Sequence, residues 1–311
     1  MTSKTTTGTA GAATNQYGYD LAGRLTNWNN GTTATAYTWD AAGNRTSAGD
    51  TASSFDERNE LLNDGTTTYS YSARGTLTGS TAQGSQPKDV QFDGFDRMVK
   101  EGPSTYSYDS TDRVAQAGNT TFTYDGGSNN VVTDGTATYT RTPGGKLLGT
   151  ATTGATPNPR LVISDQHTDV VATIDPTAKS VTGSTAYDPF GKPTASAGAT
   201  NSLGYQSGWT DPASGDVNMA ARWYRPGSGT FASRDSWQLG TTPSIQGNRF
   251  TYGNGDPVGN TDPSGHCLLC HIISAIIDDI VFATPVGNDT CSANPGICHA
   301  DQQTPRQVYG R

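Results

Sequence analysis

Aromatic residues two apart and followed by Asp recur through the first half of the chain, and this recurrence limits the fold more than any other feature. Clear copies are Tyr17-Gly18-Tyr19-Asp20, Tyr37-Thr38-Trp39-Asp40, Tyr106-Ser107-Tyr108-Asp109 and Phe122-Thr123-Tyr124-Asp125. Weaker copies, Ser54-Phe55-Asp56, Tyr69-Ser70-Tyr71-Ser72, Val90-Gln91-Phe92-Asp93 and Tyr139-Thr140-Arg141-Thr142, fill the gaps. The second member of the pair falls at residues 19, 39, 55, 71, 92, 108, 124 and 141, in steps of 20, 16, 16, 21, 16, 16 and 17. Side chains two apart share one face of a strand, where rings of neighbouring units can touch. The residues that follow, as in Asp20-Leu21-Ala22-Gly23 and Asp40-Ala41-Ala42-Gly43, suit a tight turn, because Asp can bond the backbone ahead of it and Gly tolerates positive φ. Each unit therefore reads as a β-hairpin. A lone hairpin is marginal in water, so the units must stack and bury a shared aromatic face. The expected product is an all-β, coiled sheet.

Composition agrees with an ordered chain. Only 32% of residues are hydrophobic and 15% charged, yet 14 Tyr, 8 Phe and 5 Trp are more rings than a disordered polar chain carries. A net charge of −8 without clustered Lys and Arg argues against nucleic acid as a partner of the sheet. All four Cys lie beyond residue 266, so the long body folds without disulfides. Residues 1–15 are mostly Thr, Gly and Ala with a single Lys and do not read as a secretory signal, and no stretch reads as a transmembrane segment. The chain is expected to be the C-terminal piece of something longer, with export encoded upstream.

This pattern resembles the YD repeats of bacterial RHS proteins and of teneurins, and about eight copies over residues 15–150 carry the resemblance. It implies stacked β-hairpin repeats forming part of a coiled β-shell that can enclose polypeptide. From Arg160 the period breaks, and Asp165-Gln166-His167-Thr168-Asp169-Val170-Val171 and Tyr187-Asp188-Pro189-Phe190-Gly191 resemble the elements that precede the RHS repeat-associated core. The core's own words follow in order: Leu203-Gly204-Tyr205-Gln206-Ser207-Gly208, Ala221-Arg222-Trp223-Tyr224-Arg225-Pro226, Phe231-Ala232-Ser233-Arg234-Asp235, Asn248-Arg249-Phe250-Thr251-Tyr252 and Asp262-Pro263-Ser264-Gly265-His266. The resemblance implies four regions: 1–14, a disordered or truncated end; 15–159, repeats; 160–266, a core acting as plug and autoprotease; 267–311, a variable tail, partly helical or irregular.

In toxin-complex relatives this core is an intramolecular aspartic protease that cuts just after the closing word. Carried over, the catalytic residues are Asp235, Asp262 and Arg222, and the cleavage region is Gly265, His266 and Cys267. Two neighbouring carboxyl groups do not both ionise cheaply, so one keeps a proton to polarise the carbonyl while the other deprotonates water. An Arg can orient the ionised member by paired hydrogen bonds. Two departures stand out: Arg225 occupies the place of the usual Asp, and His266 that of the usual Leu. Residues 239–247 read as an inserted loop.

In the tail, Cys267-Leu268-Leu269-Cys270-His271 matches a haem-attachment word, and Cys298-His299 offers further ligands; zinc, a disulfide or free thiols remain open, and no cofactor or metal is expected for the body. The apolar run 272–282, interrupted by Asp278-Asp279, is too short to span a bilayer. The resemblance implies a secreted or cell-surface protein whose partners are its own enclosed C-terminal peptide, an immunity protein, and cell-surface carbohydrate or a target cell. A non-catalytic surface or wall-associated repeat protein is the alternative reading, and a glycoside hydrolase ranks last.

Overall fold

The computed structural model describes residues 1–199, 201–237 and 244–266. Among them the protein is all-β, a run of antiparallel hairpins paired in sequence order into sheets of six, nine and eight strands. Single residues, Ser53 and Phe122, separate one sheet from the next, so residues 3–198 make one stepped wall.

The turns explain the recurring Asp. In the first clear copy the Asp20 N–H donates to the Arg24 carbonyl, and the Asp20 side chain accepts the N–H groups of Ala22 and Arg24, each at 2.9 Å. Asp40, Asp56, Asp93 and Asp109 hold the same backbone bond four residues on. The fourth residue of each turn has positive φ, supplied by Gly23 (+82°) and Gly43 (+82°) and, elsewhere, by Asn59 (+65°), Asp96 (+62°) and Asp112 (+64°). Asn and Asp are the residues that best replace Gly there.

The pair itself divides its labour. The first ring is buried, as at Tyr37, Tyr106 and Tyr139. The second is half-buried and roofed by an Arg from the preceding turn: Arg97 lies 4.9 Å from the Tyr108 ring and Arg113 4.5 Å from Tyr124. Each of these Arg residues is also paired with the Asp of its own turn, Arg97 with Asp93 at 2.6 Å and Arg113 with Asp109 at 2.8 Å. Turn and neighbouring repeat are thereby locked through one guanidinium.

The wall runs on past Arg160 without a break in pairing, through Pro159–Ser164, Val170–Asp175, Ser180–Tyr187 and Pro193–Gly198. Asp165 and Asp188 make the same turn as the repeats, with Thr168 (+65°) and Gly191 (+88°) at the positive-φ place. The wall bends round until its first hairpin meets its last strands. Lys4 pairs with Asp165, and the Ala10 N–H donates to Ser184 Oγ at 2.9 Å. No ladder joins the two ends, so the wall is not a closed barrel.

Inside the wall sits a small sheet of four strands: β1 (Trp209–Thr210), β2 (Val217–Met219), β3 (Arg222–Arg225) and β4 (Thr230–Phe231). It shares a core with the wall through a chain of rings, Tyr106 to Trp223 at 4.5 Å, Trp223 to Trp209 at 6.0 Å and Trp209 to Phe122 at 5.0 Å. Of the expected insertion loop, the described part is the short helical turn Ser244–Gly247; residues 239–243 lie outside the described residues.

Asp188 carries a pH dependence. Burial raises its pKa from 3.8 to about 6, against the turn bonds it accepts from Lys192 and Phe190. Its folded pKa is above its unfolded value, so this contribution to stability is complete below pH ~4 and is lost as pH rises through about 6. Asp188→Asn keeps the accepting oxygen and removes the charge. Denaturant titrations from pH 4 to 7.5 should show a flatter stability profile for the variant, by on the order of 2–3 kcal/mol.

Candidate active site

The wall positions one acid directly. Ser233 bridges to Thr76, the Arg234 N–H donates to the Gly75 carbonyl at 2.9 Å and the Leu77 N–H to the Ala232 carbonyl at 3.0 Å, so the stretch entering Asp235 is laid along a repeat turn. That turn begins with Ser72 rather than Asp, one of the weak copies in the sequence. The other acid, Asp262, is held by the core: its N–H donates to Gln206 Oε1 at 3.1 Å.

Arg222, on β3, joins them. It is 5% exposed, and its Nη2 lies 3.1 Å from Asp235 Oδ2 and 3.3 Å from Asp262 Oδ2. Its Nη1 donates to the Arg249 carbonyl at 2.9 Å and its Nε to the Gly265 carbonyl, while its guanidinium rests 3.6 Å from the centre of the Phe231 ring. Burial pulls its pKa down, and Asp235 and Asp262 oppose that pull. Both acids are buried, at 3% and 4% exposure, where an unpaired charge would cost several kcal/mol or more.

The segment expected to be cut lies on these groups. The His266 N–H donates to Asp262 Oδ1 at 3.0 Å, and His266 Nδ1 lies 2.7 Å from Asp235 Oδ1. The Gly265–His266 peptide is thus gripped at both ends, its oxygen by Arg222 and its nitrogen by Asp262. Gly265 has φ +73°, and a Cβ there would run into the Met219 carbonyl and the Arg222 nitrogen, so only Gly lets the segment approach β3 so closely. A cavity of about 30 Å³, room for about one water molecule, is lined by Arg222, Asp235, Asp262, His266, Arg249 and Trp237, among others.

Comparison with known proteins agrees with the fold. The RHS Repeat family matches residues 19–54. The tRNA3(Ser)-specific nuclease WapA of Bacillus spizizenii is 28% identical over 225 residues, 71% of this chain and 9% of that protein. The tRNA(Glu)-specific nuclease WapA of Bacillus subtilis subsp. natto is 36% identical over 104 residues, 32% of this chain and 4% of that protein. The crystal structure of TcdB2-TccC3 without its hypervariable C-terminal region superposes with a TM-score of 0.52 at 17% identity, covering 82% of this chain and 15% of that one. The chain is an RHS/YD-repeat protein. It spans under a tenth of the length of the WapA proteins it matches.

Several residues that position this RHS site were not singled out by the sequence. His167 is buried, with Nδ1 2.9 Å from Asp169 Oδ1 and Nε2 2.9 Å from the carbonyl of Asn260, two residues before Asp262. Burial opposes its charge, but Asp169 and the bond to Asn260 raise its pKa above the ordinary value. Asp169 also accepts the Gln206 N–H at 2.9 Å, so one buried ion pair braces both supports of Asp262. The Arg249 carbonyl accepts from Arg222 and from the Asp235 N–H. Trp237 lies flat on His266, ring centres 4.7 Å apart and planes 2° from parallel. For His167, Asp169, Gln206 and Arg249 the available signal was membership of the ordered words, which names segments but not contacts; Trp237 stands in none of them. Among the described residues no group of His, Cys, Asp and Glu could hold a metal ion, and no helix is long and apolar enough to cross a membrane. Cys267, Cys270, His271, Cys298 and His299 lie outside the described residues.

Proposed function

We propose that this RHS protein is a β-shell segment whose core cuts its own chain just after His266, releasing residues 267–311 from the body. One observation carries the reading: a single buried guanidinium, Arg222, touches both acids and the carbonyl of the residue before His266. In the reaction, one carboxyl group of the Asp235–Asp262 pair takes a proton from water as the water oxygen bonds to the carbonyl carbon of His266. The other gives its proton to the amide nitrogen of Cys267 as the C–N bond breaks. A carboxyl group is left on His266 and an amine on Cys267. The grip on the Gly265–His266 peptide, by Arg222 on its oxygen and Asp262 on its nitrogen, fixes the residue whose carbonyl is attacked, so positioning supplies much of the rate enhancement. The shell would enclose its own C-terminal peptide, act outside the producing cell, and be matched by an immunity protein.

Intact mass of the purified chain tests this. Two species, residues 1–266 and 267–311, are expected from the natural sequence and one uncut species from Asp235→Asn and from Asp262→Asn. Persistent full-length natural chain, folded, would mean that the core is a non-catalytic plug of a surface or carbohydrate-binding repeat protein.

A further inference from the structure

We infer that His266 is itself a catalytic residue: its imidazole, oriented by Asp235, is the base that deprotonates the attacking water for hydrolysis of the bond that follows it. This rests on the self-cleavage reading above and moves one of its two proton transfers from a carboxyl group of the pair to the imidazole that Asp235 orients.

The geometry is that of an Asp–His pair. His266 Nδ1 is 2.7 Å from Asp235 Oδ1, which makes Nδ1 the hydrogen-bearing nitrogen when the ring is neutral and turns Nε2 outward as the acceptor. The ring is held from the side by Trp237, stacked 4.7 Å away and parallel to within 2°. Asp235 is fixed behind the ring by two further donors, the Trp237 N–H at 2.8 Å and Arg222 Nη2 at 3.1 Å. Among the described residues Nε2 takes no hydrogen bond, whereas the water-sized cavity is lined by His266 together with both acids. A Leu, the residue expected here from the resemblance, would fill the place without any of these bonds. The ring belongs to the residue whose carbonyl is attacked, so no approach step is needed.

The proton balance is complete within the site. Water gives one proton to His266 Nε2 while its oxygen bonds to the His266 carbonyl carbon, Asp235 steadies the imidazolium that forms, and Asp262 donates a proton to the departing Cys267 nitrogen. The imidazolium then returns its proton to Asp262, which restores both groups. The charged groups facing the ring are Asp235 and Asp262, Arg222 from β3 and Arg249 from the stretch before Phe250.

The test follows cleavage during refolding of the full chain from denaturant at pH 5.5 to 8, quenched and read by mass. His266→Asn keeps a donor for Asp235 but has no basic ring nitrogen to take the proton of water; it should cleave ~100-fold more slowly than the natural chain throughout that range. His266→Asn cleaving at the natural rate across that range would overturn the assignment and reduce His266 to a positioning role. His266→Gln, run as a second variant, cleaving at the natural rate would overturn it as well. Asp235→Asn and Asp262→Asn run beside them separate the two readings: both uncut with His266→Asn at full rate sinks only this inference, while cleavage in both sinks the protease itself.

Discussion

Arg222→Met should leave the chain uncut and lower its unfolding free energy by about 3–5 kcal/mol. The guanidinium is the counter-charge to two acids that are almost fully buried, and no second cation reaches both of them among the ion pairs of the described residues. Removing it takes their shared cation from two acids at low dielectric, which costs far more than losing an exposed pair would. It also takes the Arg222 donor from the Gly265 carbonyl and leaves the Arg249 carbonyl with the Asp235 N–H alone. Arg222→Lys should rescue little, since one ammonium cannot serve both acids and two carbonyls lying in different directions. Denaturant unfolding with intact mass measures both effects. The decisive control is Arg222→Met combined with Asp235→Asn and Asp262→Asn. If charge is the cause, much of the lost stability returns with the acids neutralised. If the triple variant is as weak as the single one, the loss belongs to packing on Phe231.

The repeats were legible because each carries its own instructions. A ring pair facing inward, an Asp that caps the turn and a residue able to take positive φ are all local, and they recur at a period that any ordered wall must respect. The break read at Arg160 shows where locality ends. Pro159–Ser164 and Val170–Asp175 replace ring pairs with Leu161, Val162, Ile163 and Val170, so the aromatic signal fades although the Asp165 and Asp188 turns repeat the same bonds. A pattern counted on rings misses strands built from aliphatic residues. Asp235, Asp262 and Arg222 could be named from ordered words, but their support could not. His167 lies 95 residues before Asp262 along the chain, and Gly75, which steadies the approach to Asp235, belongs to a repeat whose turn had lost its Asp. At that turn the Ser72 hydroxyl stands in for the carboxylate and lies 2.8 Å from Thr76 Oγ1, while the Gly75 carbonyl accepts the Arg234 N–H of the core.

Arg225→Met should be as destabilising as Arg222→Met while leaving cleavage of the folded fraction intact, and the contrast separates structure from chemistry. Arg225 stands where the resemblance leads one to expect Asp, and its side chain reaches from β3 to a second buried pair of acids. Its Nη2 lies 3.4 Å from Glu101 Oε1 in the wall and its Nε 3.5 Å from Asp216 Oδ2 beside β2. Glu101 is 1% exposed and Asp216 4%, and Lys88 approaches Glu101 only to 3.9 Å. Glu101 Oε2, Asp216 Oδ2 and Arg225 Nη1 have no hydrogen-bond partner, so the cluster is held by charge more than by directed bonds. Burial raises the Asp216 pKa well above the ordinary value, Glu101 adding to it and Arg225 opposing it. With the folded pKa above the unfolded one, Asp216 favours the fold below pH ~4 and loses that contribution as pH rises through its folded pKa. Taking away Arg225 removes the group that offsets this, so the deficit of Arg225→Met, about 3–5 kcal/mol near neutrality, should shrink at pH 4.5 where Asp216 is protonated. A deficit equal at both pH values would assign the loss to packing. Replacing Glu101 by Leu and Asp216 by Val together with Arg225→Met should recover most of the stability, since an apolar cluster of similar volume needs no counter-charge. The two Arg residues sit three apart on one strand, each facing two acids. Of the two, it is the Arg222 cluster that also grips a backbone carbonyl in the Gly265–His266 segment.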